Sequence, residues 1–323
     1  MLVSVVVICY NSGAFVLEAL ESIYHQTFGP IELIVSDDCS TDDTVEICKK
    51  WLITHKSRFI TTRIVSTNKN SGVAINVDNG TRAANGEWIK LVAGDDILPS
   101  DAIEQCVKYV TENSISTLMC TRSYGFYKDH GQYRISSINP TSFAEHVLKG
   151  CAAKQYRAML RYYVMPTSMF IAKSFLEKLN YYDTEFPYID DFPLFLKIAS
   201  NGYSIVINDE IVAYYHRTKI DSISQSQSGL LNVRAFRVGG LMDQQNAKYV
   251  LPHISPFDIP FWVHHYIDRF RRLVIIDLLK NRNTLFCRMV NKFILLFDPI
   301  FMHQIIYNKL NKRESDVVGK LMD

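Results

Sequence analysis

Three pairs of adjacent carboxylates sit beside apolar runs: Asp37-Asp38, Asp95-Asp96 and Asp190-Asp191. Side-by-side carboxylates repel, so each pair needs a counter-charge, hydrogen-bond donors or a proton. Gly94-Asp95-Asp96 offers hard oxygen ligands to a divalent cation that keeps open positions for a diphosphate, and it reads equally as a turn and helix cap ahead of Pro99. Asp38 is placed to accept from a ribose hydroxyl or the imide N–H of a uracil, whereas Asp37, Asp42 and Asp43 fit capping or surface positions. In Tyr188-Ile189-Asp190-Asp191-Phe192-Pro193, the proline suits a first helical turn that Asp190 or Asp191 caps. A carboxylate beside a second one and a Tyr/Phe-rich wall is also raised toward the proton affinity of a general base.

The elements that must position these groups follow from hydrophobic spacing. Residues 1 to 120 alternate short β-branched runs with amphipathic segments, which predicts an α/β fold with parallel strands and covering helices. Strands are expected at Val3 to Ile8, Ile31 to Val35, near Phe59 to Val65, and Glu87 to Val92. Three of them run into polar loops carrying Tyr10, Asp38 and Asp95-Asp96, and open α/β sheets bind ligands at that carboxyl edge. Val73 to Ala84 reads as a helix closed by Asn85-Gly86, and Asp190 to Asn201 as another. Further strands are expected at Ser116 to Thr121, Ser168 to Ala172, Tyr203 to Ile207 and Ile211 to Tyr215, with a mostly helical chain beyond Ser228.

Composition bounds the alternatives. The 323 residues, 48% hydrophobic and 21% charged with net charge +2, describe a globular chain rather than a disordered or polytopic one. Seven cysteines without a CxxC or Cys/His ladder argue against a disulfide framework and a structural zinc site, and fit a reducing compartment. Met1 to Asn11 reads as a buried strand rather than a secretion signal. No stretch reaches the roughly 18 to 20 apolar residues that span a bilayer.

The motifs in order are Val3 to Asn11, Ser22 to Phe28, Glu32 to Asp42, Asn70-Ser71-Gly72-Val73, Gly86-Glu87-Trp88-Ile89, Gly94-Asp95-Asp96, Asp190-Asp191 and Ser222-Ile223-Ser224. Over about residues 1 to 224 this series resembles the family 2 nucleotide-sugar glycosyltransferases, and it looks like the bacterial enzymes that build O-antigen or capsule repeat units. The resemblance implies a GT-A fold: a Rossmann-like, mostly parallel central sheet with flanking helices, here followed by a helical C-terminal region. It implies a catalytic domain over 1–228 and that helical region over 229–323. Ile8, Tyr10, Asp38, Gly72 and Asp95 would bind a UDP-sugar, with Asp38 on the uracil, Tyr10 against the base and Asp95 on the ribose. Asp96 would hold Mg²⁺ or Mn²⁺, and Asp191 would be the base of an inverting transfer, with Asp190 as its rival. His216 is either a solvated strand-end histidine or a metal or phosphate ligand. Many relatives carry an Arg after the Gly-Val that matches Gly72-Val73, and Ile75-Asn76-Val77-Asp78 has none.

The expected acceptor is a hydroxyl of a polyprenyl-diphosphate-linked saccharide. A sugar-nucleotide nucleotidyltransferase lacks support because no glycine-rich basic loop follows the first strand, and a catalytically silent scaffold protein fits less well with the retained carboxylates. Residues 230 to 323 carry 14 Lys+Arg against 8 Asp+Glu, while the remainder is net negative. Aromatic and basic residues mix from Phe261 to Lys292, which fits a helix packed on the catalytic domain or one lying on an anionic bilayer. The corresponding location is cytoplasmic, peripheral at the inner face of the cytoplasmic membrane. No nucleic-acid partner is expected, and a homo-oligomer is compatible with the sequence.

Overall fold

The computed structural model describes residues 1–130, 132–162, 164, 166, 168–187, 189–217, 230, 231, 244, 246–310 and 320. Tyr188 and the Ser222-Ile223-Ser224 motif lie outside the described residues. Met1–Gln155 and Met165–Arg217 form most of one compact unit, and Tyr156–Val164 with Thr218–Asp316 the other.

The first unit is built on an eight-stranded sheet. Strands β1 (Val3–Cys9), β2 (Ile31–Asp37), β3 (Thr61–Ser66) and β4 (Trp88–Ala93) are its parallel half, in the order β3-β2-β1-β4. Helices α1 (Val16–Tyr24), α2 (Thr44–His55) and α3 (Val73–Ala83) make the crossovers. In β1 the residues Val3, Val5, Val6 and Val7 are all fully buried, as a central parallel strand covered on both faces requires. Beyond β4 the sheet turns mixed: β7 (Met169–Ala172) runs antiparallel to β4 and to β5 (Leu118–Asp129), and β5 pairs antiparallel with β6 (Gln132–Asn139). Helix α4 (Ala102–Glu112) follows β4; in chain order α5 (Ser142–Leu148) and α6 (Ala152–Tyr162) come between β6 and β7, and α7 (Lys173–Lys178) follows β7. Helix α8 spans Asp191–Ser200 with Asp190 at its N-cap.

Three sequence expectations change. The two strands expected at Tyr203 to Ile207 and Ile211 to Tyr215 are one strand, β8 (Val206–Arg217), parallel to β5. Its register jumps between the pairs Thr121–Asn208 and Arg122–Val212. Asn208 Oδ1 accepts from the N–H groups of Glu210 and Ile211, so a side-chain turn inside the strand mimics a strand break in the sequence. His216 and Arg217 therefore end β8 rather than follow it. The strand expected to stop at Thr121 runs on to Asp129 and pairs with β6, whose Gln132 to Asn139 alternation is too polar to read as a strand.

In the second unit, the helix expected to carry the aromatic and basic residues from Phe261 to Arg282 is broken. Helix α9 (Ile259–Arg272) passes through a π-helical turn, Leu273–Leu278, and stops at Lys280 and Asn281, both with φ of 53°. Then come α10 (Leu285–Leu295), capped by Thr284 Oγ1, and α11 (Pro299–Leu310). Among the described residues no helix is long and apolar enough to cross a membrane.

Both ends of the parallel half are tied by buried polar groups. At the amino edge Glu32 accepts from Ser4 Oγ and from both nitrogens of Asn85, while Gly86 N–H donates to Ser4 Oγ at 2.8 Å. Burial opposes ionisation of Glu32, but these donors outweigh it and lower its pKa. At the carboxyl edge Asn76 of α3, fully buried, donates through Nδ2 to Cys9 O and Ser36 O, both at 3.1 Å, and accepts from Ser36 Oγ at 2.7 Å. Asn76→Ala leaves two strand-end carbonyls without that donor. It is expected to lower the unfolding free energy by about 2–3 kcal/mol in urea denaturation.

Candidate active site

Parallel pairing aligns Cys9 with Asp37 and Ile8 with Ala93, so three strands end together. The chain stays joined past the strand ends, with Asp38 N–H on Cys9 O at 2.9 Å and Gly94 N–H on Ile8 O at 2.8 Å. Ile8 is half-buried and Tyr10 beyond it is exposed. The loops after β1 and β2 interlock: Asn11 N–H donates to Ser40 Oγ, and Asn11 Oδ1 accepts from Thr41 N–H at 2.8 Å. Asn11 holds a φ of 51° there, a conformation asparagine tolerates better than most residues.

Asp38 is buried, and its carboxylate organises the loop ahead of α3. Oδ1 accepts from Ser71 N–H at 2.8 Å and Thr67 Oγ1 at 2.9 Å, and Oδ2 accepts from Gly72 N–H at 2.7 Å. Asp37 turns away to accept from Ser40 N–H and Oγ. Gly72 has a φ of 96°, and a Cβ there would stand 2.3 Å from Pro187 O. Only glycine meets both demands. Ala74 N–H then donates to Pro187 O at 2.9 Å, which seats the chain leading to Asp190 and Asp191 against the loop that Asp38 holds.

Asp96 is also buried. Its Oδ2 accepts from Tyr214 Oη and its Oδ1 from Arg217 N–H, both at 2.7 Å, and Tyr214 Oη in turn accepts from Ala93 N–H. Ile97 and Tyr215 exchange backbone hydrogen bonds, so β8 runs along the segment after the Asp pair. The Arg217 guanidinium is fixed by Glu18, by Asp95 O at 2.9 Å from Nε, and by the rings of Phe15 and Phe126 at 4.7 and 4.8 Å. Asp95 itself is half-buried. The backbone of His216 lies in β8, but its side chain is outside the described residues.

Asp191 Oδ1 accepts from Phe192 N–H at 2.7 Å at the start of α8. Burial first, and the neighbouring Asp191 second, push the Asp190 carboxyl up to about 7, and burial also raises Asp191. Such a pair shares its proton, so the value belongs to the two together. Tyr182, whose buried hydroxyl has no hydrogen-bond partner among the described residues, has a pKa well above the usual phenol range through burial and the negative charge of Asp190, Asp191 and Asp78. It stays a neutral donor.

Ile8 near the end of β1 and Tyr10, Asp38, Asp95 and Asp96 just past strand ends thus share one sheet edge, and Gly72 links that edge through Pro187 to the segment that enters α8 at Asp190 and Asp191. Among the described residues no three His, Cys, Asp or Glu side chains form a ligand set. Sequence reasoning missed Tyr214, Glu18 and the anchoring part of Arg217. Their only sequence signal was a polar cluster, Tyr214 to Arg217, at the end of an apolar run.

The electrostatics make a prediction about stability. Asp190 binds its proton more tightly folded than unfolded, so its ionisation costs nothing below the unfolded value near 3.8. The cost grows as pH rises and is complete above about 7. Asp190→Asn is expected to raise thermal stability at pH 8, on the order of 1–3 kcal/mol, with the gain fading toward pH 4. Melting curves at the two pH values check this.

Comparison with known proteins agrees with this architecture. The chain is 26% identical over 238 residues to glycosyltransferase GlyG of Streptococcus pneumoniae, 71% of this chain and 75% of that protein. It is 28% identical over 230 residues to the Escherichia coli UDP-Glc:alpha-D-GlcNAc-diphosphoundecaprenol beta-1,3-glucosyltransferase WfaP, covering 70% and 81%. The structure of S. aureus TarS 1–349 superposes with a TM-score of 0.54 at 17% identity over 97% of this chain and 92% of that one, a shared GT-A fold. The chain spans half of the longer TarS structure. The family model for glycosyl transferase family 2 matches residues 4–179, and the chain belongs to that family.

Proposed function

We propose that this glycosyltransferase moves a sugar from a UDP-sugar to a hydroxyl of a polyprenyl-diphosphate-linked saccharide, with inversion at the anomeric carbon, in surface polysaccharide synthesis. The observation that carries this reading is the seating of the chain leading to Asp190 and Asp191 on the loop that Asp38 organises, with burial raising the proton affinity of both carboxyls. The similarity to WfaP, named for UDP-Glc and a diphosphoundecaprenol acceptor, supports the donor and acceptor classes. TarS has been solved with UDP and with UDP-GlcNAc, which supports the nucleotide class.

Asp38 Oδ2 accepts from Gly72 N–H and is suited to a further donor, such as the imide N–H of uracil. Tyr10 offers an exposed ring for stacking, and Ile8 and Gly72 would line the donor beside it. Asp95 would take a ribose hydroxyl. Asp95 and Asp96 are hard oxygen donors, and a site with two carboxylates completed by substrate phosphates fits Mg²⁺ or Mn²⁺. Asp96 would be its main ligand, with His216 a second where β8 ends. The bound cation would neutralise charge on the departing diphosphate.

Asp191 accepts the acceptor hydroxyl's proton as that oxygen bonds to the anomeric carbon. The carbon–oxygen bond to the diphosphate breaks on the opposite face, and the electron pair leaves with UDP. One base suffices, since attack and departure lie on opposite sides. The neutral Tyr182 hydroxyl, buried near both carboxylates, adds no charge of its own to the pair.

Asp191→Asn is expected to lower transfer by about 10²–10⁴-fold while UDP-sugar still raises the melting temperature. If Asp190→Asn abolishes transfer and Asp191→Asn spares it, the base is Asp190. For the parent, kcat/KM should rise with pH above the usual carboxylate range, because burial raises the Asp191 carboxyl. If Asp190 is the base instead, Asp191→Asn removes the repulsion that helps raise it and moves its limb, near 7 in the parent, to lower pH. UDP release from a panel of UDP-sugars, with and without lipid-linked acceptor, tests the activity itself. Release undiminished in EDTA would remove the cation from this scheme, and no release with any donor would overturn the transferase reading.

A further inference from the structure

Helix α10 is apolar on two sides but packs on one. Its inward face holds the buried Cys287 and Ile294. Outward stand Leu285, 75% exposed, and Phe286, Met289, Phe293, Leu296 and Phe297, each 60–64% exposed. Their three- and four-residue steps place them on one stripe. Helix α9, which contacts α10, exposes a second stripe at the same spacing: Ile259, Val263, Tyr266, Phe270 and, just past its end, Leu273. A monomer in water rarely leaves such contiguous apolar surface uncovered.

Charge selects the cover. From Lys280 to Phe297 there is no Asp or Glu, and Lys280, Arg282, Arg288 and Lys292 are all exposed around the α10 stripe. A symmetric contact with a second copy would set this basic rim against itself, because a two-fold interface pairs a patch with its own image. Nucleic acid would meet the cations but leave the Phe and Leu ridge uncovered. Anionic lipid answers both, with headgroups for the Arg and Lys and acyl chains for the aromatic ridge. With 11 residues, α10 is about 16 Å long, so it can lie in the interface but cannot span the membrane.

We infer that α10, with α9 beside it, is an interfacial anchor that docks the chain on an anionic bilayer, Phe286, Met289 and Phe293 entering the acyl boundary and Arg288 and Lys292 remaining among the headgroups. A lipid surface would be met this way whatever sugar is transferred.

Cosedimentation of the full chain with phosphatidylglycerol/phosphatidylethanolamine vesicles tests this. Binding is expected to weaken at least about tenfold on phosphatidylcholine vesicles or in about 0.5 M salt. The double variants Phe286→Ser/Phe293→Ser and Arg288→Glu/Lys292→Glu should each weaken it at least about tenfold. The charge reversal sits on exposed positions, so its circular dichroism and its UDP release in free solution should match the parent. Trp262, on α9, should show blue-shifted emission with the anionic vesicles alone. Equal binding by parent and both variants would overturn the inference. So would absence of vesicle binding together with a concentration-dependent dimer that Phe286→Ser/Phe293→Ser dissociates, which would assign the stripe to a second copy.

Discussion

A carboxylate taken out of water must be met by donors, and the way Asp38 is met governs the site. Its oxygens gather the N–H groups of Ser71 and Gly72 and the hydroxyl of Thr67, so the loop ahead of α3 is drawn to the end of β2. Gly72 can then lie against Pro187, and the segment carrying Asp190 and Asp191 is seated on the same structure. An acidic group that reads as a nucleotide contact is first a strut between the strand ends and the loop on which the segment of Asp190 and Asp191 is seated.

The second acidic site is built differently. Asp96 is held by one phenol and one peptide N–H, both from β8, while Arg217 is confined by aromatic rings and by Glu18. Two ways of stabilising charge therefore meet at one edge. Asp38 and Asp96 are supplied with donors, whereas burial raises the proton affinity of Asp190 and Asp191, and the neighbouring charge raises Asp190 further. Donors favour a permanently ionised group, and crowding favours one that exchanges a proton near neutral pH.

The parallel half was legible because buried strands and amphipathic helices leave strong local periodicities, and the carboxylates stand where those periodicities end. Gly72 was legible as part of a motif, though the close approach to Pro187 that demands glycine was not. The links across long distances in the chain were hidden: Glu18 and Arg217 are 199 residues apart and neither is unusual in its own neighbourhood. The turn made by Asn208 within β8 misled in the opposite sense, since a local break in pattern concealed a continuous strand. The break after α9 was missed because Lys280 and Asn281 adopt left-handed conformations without a glycine to announce them.

Much of the framework around the acidic groups is made by peptide groups. Ser71 and Gly72 serve Asp38 through their main chain, Arg217 holds Asp96 through its own nitrogen, and Ala74 reaches Pro187 through its amide. Every amino acid but proline brings that amide, so these struts, Gly72 apart, can outlast wholesale replacement of the side chains above them. A scaffold secured in this manner can drift far in composition while keeping its form, which accords with a common architecture at 17% identity. Alanine at position 71 keeps the N–H that serves Asp38, and position 74 is alanine already, whereas swapping the amide for an ester at either position would expose what it does.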